Sequence, residues 1–418
     1  MLSFFNRYRQ LKYKTHYDVR CFALERQRNS SFLFCGGLYS NDSRFIGESA
    51  RVMGKKPSVV PYDTPTLVSF FNGDFERIHG ETIFLGILHN HFGHFLCDTL
   101  SRLWIVSQAG RSDTFVFLMT DAGIPKFAQE FFDLLGIGDR VRIIERPTII
   151  NSLKIPDRAV IYPDFFHPDY LKLSRYFNEI HSFPINDTDE PLFVSRHELI
   201  PGYSRYVVGE RVVHQLLKGV GASIICPESL SIEQQFRAFN RHKNIIGYAG
   251  SAMHSLLFTS GKKNILYYSG RTVPAIYRKI DDCLNNKATY LPVQQRLDRR
   301  LLDLKVGFKP EILDLPRLLS GLDAFLSLGL RFDEYCSENA LANFDVEYNT
   351  ALILRYVVEQ KAQGSTKIES EFLTYSKDYH FDREMILATL PKAPVLKQFF
   401  LELGWDANGM ERPAGFSC

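Results

Sequence analysis

The chain has 418 residues, 45% of them hydrophobic and 23% charged, with 27 Gly and 19 Pro. This is globular usage at a length suited to two domains and an appendage, and it excludes a collagen-like or disordered polymer. Fifty Lys and Arg against 47 Asp and Glu leave a formal charge of +3, too near balance for a protein whose main partner is nucleic acid.

The first residues mix Phe4, Phe5, Tyr8 and Tyr13 with Arg7, Arg9, Lys12 and Lys14 and lack the apolar run of a signal peptide. Such a start suits either an ordinary first strand or contact with an anionic membrane surface. No run reaches the roughly 18 to 20 apolar residues of a membrane span. Seven Cys without a CxxC pair predict a reducing cytoplasm, with the inner face of the membrane as the peripheral alternative. The 34 Phe and 20 Tyr fit core packing or sugar-facing and lipid-facing surfaces; composition does not choose between them.

From about residue 80 the pattern alternates: strand Ile83 to Leu88, helix Phe95 to Ala109, strand Thr114 to Met119, helix Lys126 to Leu135, strand Val141 to Ile144. Gly136 and Gly138 close the second helix. A strand at Ala159 to Tyr162 and a helix at Pro168 to Ile180 follow, giving an open α/β layer. Residues 182 to 191, polar with a proline near each end, read as an exposed connector and a domain boundary.

A second alternation runs through strand Leu192 to Ser195, helix Val207 to Leu217, strand Ala222 to Cys226, helix Ser231 to Arg241, strand Asn244 to Tyr248, helix Ala252 to Thr259 and strand Asn264 to Tyr268. This predicts a parallel, Rossmann-like sheet. Ser231 and Gln234 have capping-box spacing. Beyond about residue 296 helical periodicity takes over at Leu318 to Leu330, Ala340 to Gln360 and Arg383 to Leu403. The predicted units are therefore 1–185, 186–295 and a helical extension over 296–418.

The densest polar cluster is His89-Asn90-His91-Phe92-Gly93-His94-Phe95-Leu96-Cys97-Asp98. A helix opening near Gly93 puts His94 and Asp98 at i and i+4 on one face. Such a pair serves as a general base, as a structural hydrogen-bond pair, or, with His91, as a metal site; no HExxH-type signature supports the last. Arg196, at the end of a predicted parallel strand, is placed either to fork onto a diphosphate or to sit in a solvated ion pair. Gly247-Tyr248-Ala249-Gly250-Ser251-Ala252 joins a strand to a helix through small residues, a turn whose N–H groups favour an anion. It is neither GxGxxG nor a P-loop, so as a bare pattern it is weak.

Taken in order, these segments resemble the family 61 glycosyltransferases, which include bacterial capsular-polysaccharide biosynthesis proteins. The resemblance rests on His91 to Leu103, on Ser195-Arg196 with Arg205 and Gly209-Glu210, on Pro227-Glu228 with Gln235, and on Gly247 to Ser251. Ala249 stands where the family has His, and Gly209 where it has Asn. The resemblance implies a GT-B fold of two facing Rossmann-like domains and inverting sugar transfer from a nucleotide-diphosphate sugar, with neither cofactor nor metal. It also implies roles: Asp98 and His94 catalytic; Arg196, Arg205, Glu228, Gly250 and Ser251 on the donor; His91 and Asn90 on the acceptor side. The partners implied are a glycan or lipid-linked saccharide acceptor. The altered positions keep a non-catalytic partner subunit open as an alternative, and so does a helical tail suited to docking a second copy or another enzyme. A pyruvyl transferase or a metal-dependent hydrolase on a similar frame is a further reading.

Overall fold

The computed structural model describes residues 10–27, 33–50, 52–53, 56–57, 59–71, 73–119, 123–161, 165–196, 206–270, 273–293, 311–327, 329, 338–365, 367–378 and 381–403. Arg205, the stretch before residue 10 and the chain past residue 403 lie outside these residues.

The first half is built on a seven-stranded mixed sheet. Its strands are β1 (Tyr13–Arg26), β2 (Phe34–Tyr39), β3 (Val59–Val60), β4 (Glu76–Leu88), β5 (Thr114–Met119), β6 (Val141–Ile143) and β7 (Thr148–Pro156), in the order β3-β2-β1-β7-β4-β5-β6. Only β1 runs against the others. The anticipated open layer is therefore extended by β1, β2, β3 and β7. In β7 the polar Asn151, Ser152 and Lys154 break the apolar run, while in β4 a bulge forms around Gly80, whose φ of +85° suits glycine. The short strand Val160–Ile161 pairs with Phe165–Phe166 in a separate hairpin and not with this sheet.

The segment expected as one helix from Phe95 divides into α2 (Phe92–Cys97) and a 3₁₀ stretch, Thr99–Gln108; α1 (Thr64–Phe71) precedes them. The division has a local cause. The Thr99 hydroxyl donates to the Ile87 carbonyl at 2.9 Å, Ser101 bonds the backbone of Val160, and the Trp104 indole donates to the Asp157 carbonyl. Each turn is tied to a neighbouring strand or loop by side chains, so the register follows those anchors. Helix α3 (Lys126–Leu134) ends before Gly136, which is left-handed as expected, whereas Gly138 opens a 3₁₀ turn. Helix α4 (Leu171–His181) leads to the connector, where Phe183 is buried.

The second half carries a five-stranded, wholly parallel sheet of β8 (Leu192–Val194), β9 (Ser223–Ile225), β10 (Asn244–Tyr248), β11 (Asn264–Ser269) and β12 (Lys287–Pro292), in the order β9-β8-β10-β11-β12. Its helices are α5 (Glu210–Gly219), α6 (Ile232–Arg241) and α7 (Ala275–Leu284). The last helix and β12 extend the expected alternation by one unit. Ser231 and Gln234 form the complete capping box. Two boundaries differ. Val207–Val208 is a strand paired with Glu311–Ile312, and the helix begins only after Gly209; Ser251–Phe258 is a 3₁₀ helix.

Alternation along these strands splits the sheet between two cores. Leu192, Val194, Ile245, Ile265 and Tyr267 face the core shared with the first half. Phe193, Ile246, Leu266 and Tyr268 face a second core completed by α8 (Leu315–Leu326), α9 (Glu338–Ala362), α10 (Ile368–Asp378), α11 (Arg383–Thr389) and α12 (Pro394–Glu402). Pro391 and Pro394 divide the expected helix Arg383 to Leu403 into α11, a 3₁₀ turn and α12. No helix among the described residues is long and apolar enough to cross a membrane.

A cluster of phenylalanines lies where the halves meet. Phe131 and Phe177 of the first half pack on Phe236 and Phe258 of the second, with Phe236 and Phe258 stacked at 4.7 Å and 9°. All four are fully buried. Phe258→Ala should cost about 3 to 5 kcal/mol of unfolding free energy in denaturant titration; a loss below about 1 kcal/mol would mean that this ring is not part of a close-packed core.

Candidate functional site

Helix α2 opens where β4 ends. His91 caps it, its Nδ1 accepting from the His94 backbone N–H at 3.4 Å. His94 Nδ1 and a carboxylate oxygen of Asp98 lie 2.8 Å apart, with side-chain exposures of 33% and 10%. The i, i+4 pairing foreseen from the sequence is thus made, with the imidazole more open to solvent than the carboxylate. The His89 and His91 rings stand 5.8 and 5.0 Å from that of His94, and Asn90 is exposed at the bend before the helix. Among the described residues no three His, Cys, Asp or Glu side chains come together to hold a metal ion.

Arg102 lies one turn beyond Asp98 and is buried, donating to the carbonyls of Pro156 and Glu48. Burial, and then the nearby Arg158, push its guanidinium down to about 9. With His89, Arg158 and Asp98 it lines a small polar cavity of about 20 Å³.

A much larger cleft, about 630 Å³, lies at the carboxyl ends of β8 and β10, where parallel α/β sheets bind ligands. Arg196, Glu228, Gly250 and Ser251 all line it, together with Tyr248, Gln235 and the segment from Pro227 to Ile232. Four of the five expected donor residues are thus brought together; Arg205 lies outside the described residues. Asp98, His94, His91 and Asn90 do not line this cleft. Their helix reaches it through Phe92.

The Arg196 guanidinium lies over the Tyr248 ring at 4.6 Å, and its buried Nη1 has no hydrogen-bond partner among the described residues. Its backbone N–H donates to Glu210 at 3.0 Å, and the Tyr268 hydroxyl donates to the same carboxyl group. Burial pushes Glu210 up to about 7, although Tyr268 and Arg196 pull the other way. Gln235 donates from Nε2 to the carbonyls of Pro227 and Leu230, at 2.8 and 3.2 Å, and so holds the turn that presents exposed Glu228.

Glycine matters at two positions. A Cβ on Gly93 would lie 3.0 Å from the Ser251 hydroxyl and 3.3 Å from His254 Nδ1, so α2 approaches the 3₁₀ helix closely only because the side chain is missing. Gly209 has a φ of +91°, and its N–H donates to Glu347 of α9. Gly and Asn are the residues that best tolerate this left-handed region, which accounts for glycine where the resemblance has asparagine. Gly250, by contrast, is extended, at φ −143°. Its carbonyl accepts from the Tyr277 hydroxyl at 2.9 Å, and a Cβ there would lie 3.9 Å from Arg196 Nη1.

Four residues of this region escaped the sequence reading. Lys126, Phe127 and Glu130 of α3 line the cleft, and the Glu130 carboxylate accepts from the Ile232 N–H at the start of α6 at 2.8 Å. One signal was available: α3 follows β5, a parallel strand whose carboxyl end faces ligand-binding space in such folds. The fourth is buried His254, stacked on Tyr277 at 4.8 Å. Burial pushes its imidazole down to about 4, with His94 and His91 adding to the fall.

Fold and site together define an α/β protein with an arginine-bearing, glycine-turn cleft at parallel strand ends. Residues 92–266 match the model of the family Glycosyltransferase 61, a similarity that supports a family 61 glycosyltransferase. The match includes His94, Asp98, Arg196, Glu228, Gly250 and Ser251, and it supports glycosyltransferase activity in general. A search of curated proteins gave no match to the chain.

Glu210 yields a test. Its folded carboxyl holds a proton up to about 7 against an ordinary 4.5, so the stability it contributes is complete below pH 4.5 and is lost as the pH rises through 7. Between pH 4.5 and 8 the wild type should lose on the order of 3 kcal/mol relative to Glu210→Gln in urea titrations. Parallel pH profiles for the two proteins would show that burial does not raise this group.

Proposed function

We propose that the protein is an inverting glycosyltransferase of GT-B type, moving a sugar from a nucleotide-diphosphate donor to a hydroxyl of a glycan or lipid-linked saccharide. The observation that carries this reading is the meeting of two motifs more than 150 residues apart in the chain: the helix bearing His94 and Asp98 packs through Gly93 against Ser251, beside the cleft that holds Arg196 and Gly250.

In this scheme the Asp98 and His94 pair takes the proton of the acceptor hydroxyl. The oxygen attacks the anomeric carbon from the face opposite the diphosphate. As the new bond forms, the bond to the leaving oxygen breaks, its electron pair stays with the diphosphate, and the anomeric configuration inverts. Charge therefore grows on the leaving group, and groups preorganised around it lower the barrier more than they tighten substrate binding. Arg196 and Arg205 fill that role, with N–H groups of Gly250 and Ser251 supplying neutral donors. Glu228 accepts hydroxyls of the ribose or the donor sugar, and His91 and Asn90 flank the acceptor. No step is assigned to a metal ion or a cofactor.

The setting proposed is bacterial surface-polysaccharide assembly in the cytoplasm, with peripheral contact at the inner membrane face where lipid-linked acceptors lie. The helices after residue 315 remain available to a second copy or a partner enzyme.

Asp98→Asn should lower sugar transfer by roughly 10²-fold to 10⁴-fold while leaving nucleoside diphosphate affinity within about threefold, both read on one purified preparation. Transfer within tenfold of wild type would remove Asp98 from the base role.

A further inference from the structure

We propose that Lys126 of α3 is a further cation of the donor site beside the arginines, a phosphate-binding contribution from the first half of the chain. This inference rests on the glycosyltransferase reading above and names a contact within it.

Among the described residues lining the cleft the cations are Lys126 and Arg196, one from each half of the chain. A departing nucleoside diphosphate carries at least two negative charges, more than the Arg196 guanidinium neutralises by itself. Among the described residues Lys126 makes no ion pair or side-chain hydrogen bond, and its side chain is exposed to the cleft. Glu130, one turn further on, accepts from the Ile232 N–H and makes no ion pair with Lys126 among the described residues.

The place of Lys126 in its helix makes the case stronger. It is the first residue of α3, whose first turn contains no acidic side chain. A cation there faces the positive end of the helix dipole and costs stability, whereas an anion is favoured. A bound phosphate would reverse that penalty, because lysine and helix end would then act on the same negative charge.

The backbone that carries Lys126 is held firmly. Phe127 packs edge-on against Phe92 at 5.7 Å and Phe95 at 5.3 Å. Glu130 ties the same helix to α6 across the cleft. Lysine on a fixed stem acts as a point charge that reaches a phosphate without demanding fork geometry, which complements the planar Arg196 on the other side.

Calorimetric titration with UDP, GDP, CDP and dTDP, followed by the matching nucleoside of whichever binds, tests the assignment on wild type, Lys126→Met and Lys126→Arg. The expected result is a roughly 10-fold to 100-fold weaker diphosphate affinity for Lys126→Met, nucleoside affinity within twofold of wild type, and recovery of most of the loss in Lys126→Arg. Unchanged diphosphate affinity in Lys126→Met would overturn the proposal while leaving the glycosyltransferase reading intact. So would an equal loss for nucleoside and diphosphate, which marks a packing role. Wild type that binds none of the four diphosphates would overturn both.

Discussion

The close packing of phenylalanines between the two sheets is the constraint on which the site depends. Phe131 and Phe177 come from helices on the first sheet, Phe236 and Phe258 from helical segments on the second. Interiors at crystalline density permit few relative placements of such rings. Once they interlock, α2 must lie against the 3₁₀ helix, and Gly93 supplies the clearance. A histidine and carboxylate pair from one half is thereby held beside an arginine and a glycine turn from the other.

Polar groups refine what the rings establish. The Glu130 bond to Ile232 joins the two walls of the cleft, and Gln235 braces the turn carrying Glu228. Beneath Arg196 lies a layer of buried carboxyl and tyrosine pairs, Glu210 with Tyr268 and Glu311 with Tyr248. Such pairs meet the polar requirement of buried carboxyl groups through neutral phenols, so the guanidinium is aimed by Tyr248 and its backbone, with no direct ion pair among the described residues.

Local chemistry made some elements legible. The capping box at Ser231, the glycine stop at Gly136 and the parallel alternation from Leu192 to Tyr268 were recoverable because each rests on residues a few positions apart. The His94 and Asp98 pair was legible for the same reason, since i and i+4 meet on any helix. Strands β1 and β7 were not, because they pair with each other across more than 120 residues of sequence and the apolar run of β7 is broken. The 3₁₀ form of Thr99–Gln108 also escaped, because side chains bonded to distant backbone override its helical periodicity.

Sequence alone thus supplied the α/β class, the helix caps, the His94 and Asp98 pair and an ordered set of motifs similar to family 61. These follow from backbone preferences and short-range spacing. Tertiary structure decided that Arg196, Glu228, Gly250 and Ser251 share one cleft, that Lys126 and Glu130 join them from the other half, and that the C-terminal helices complete a second core. No local rule reaches those facts, since they depend on which surfaces exclude water together, a property of the whole folded chain.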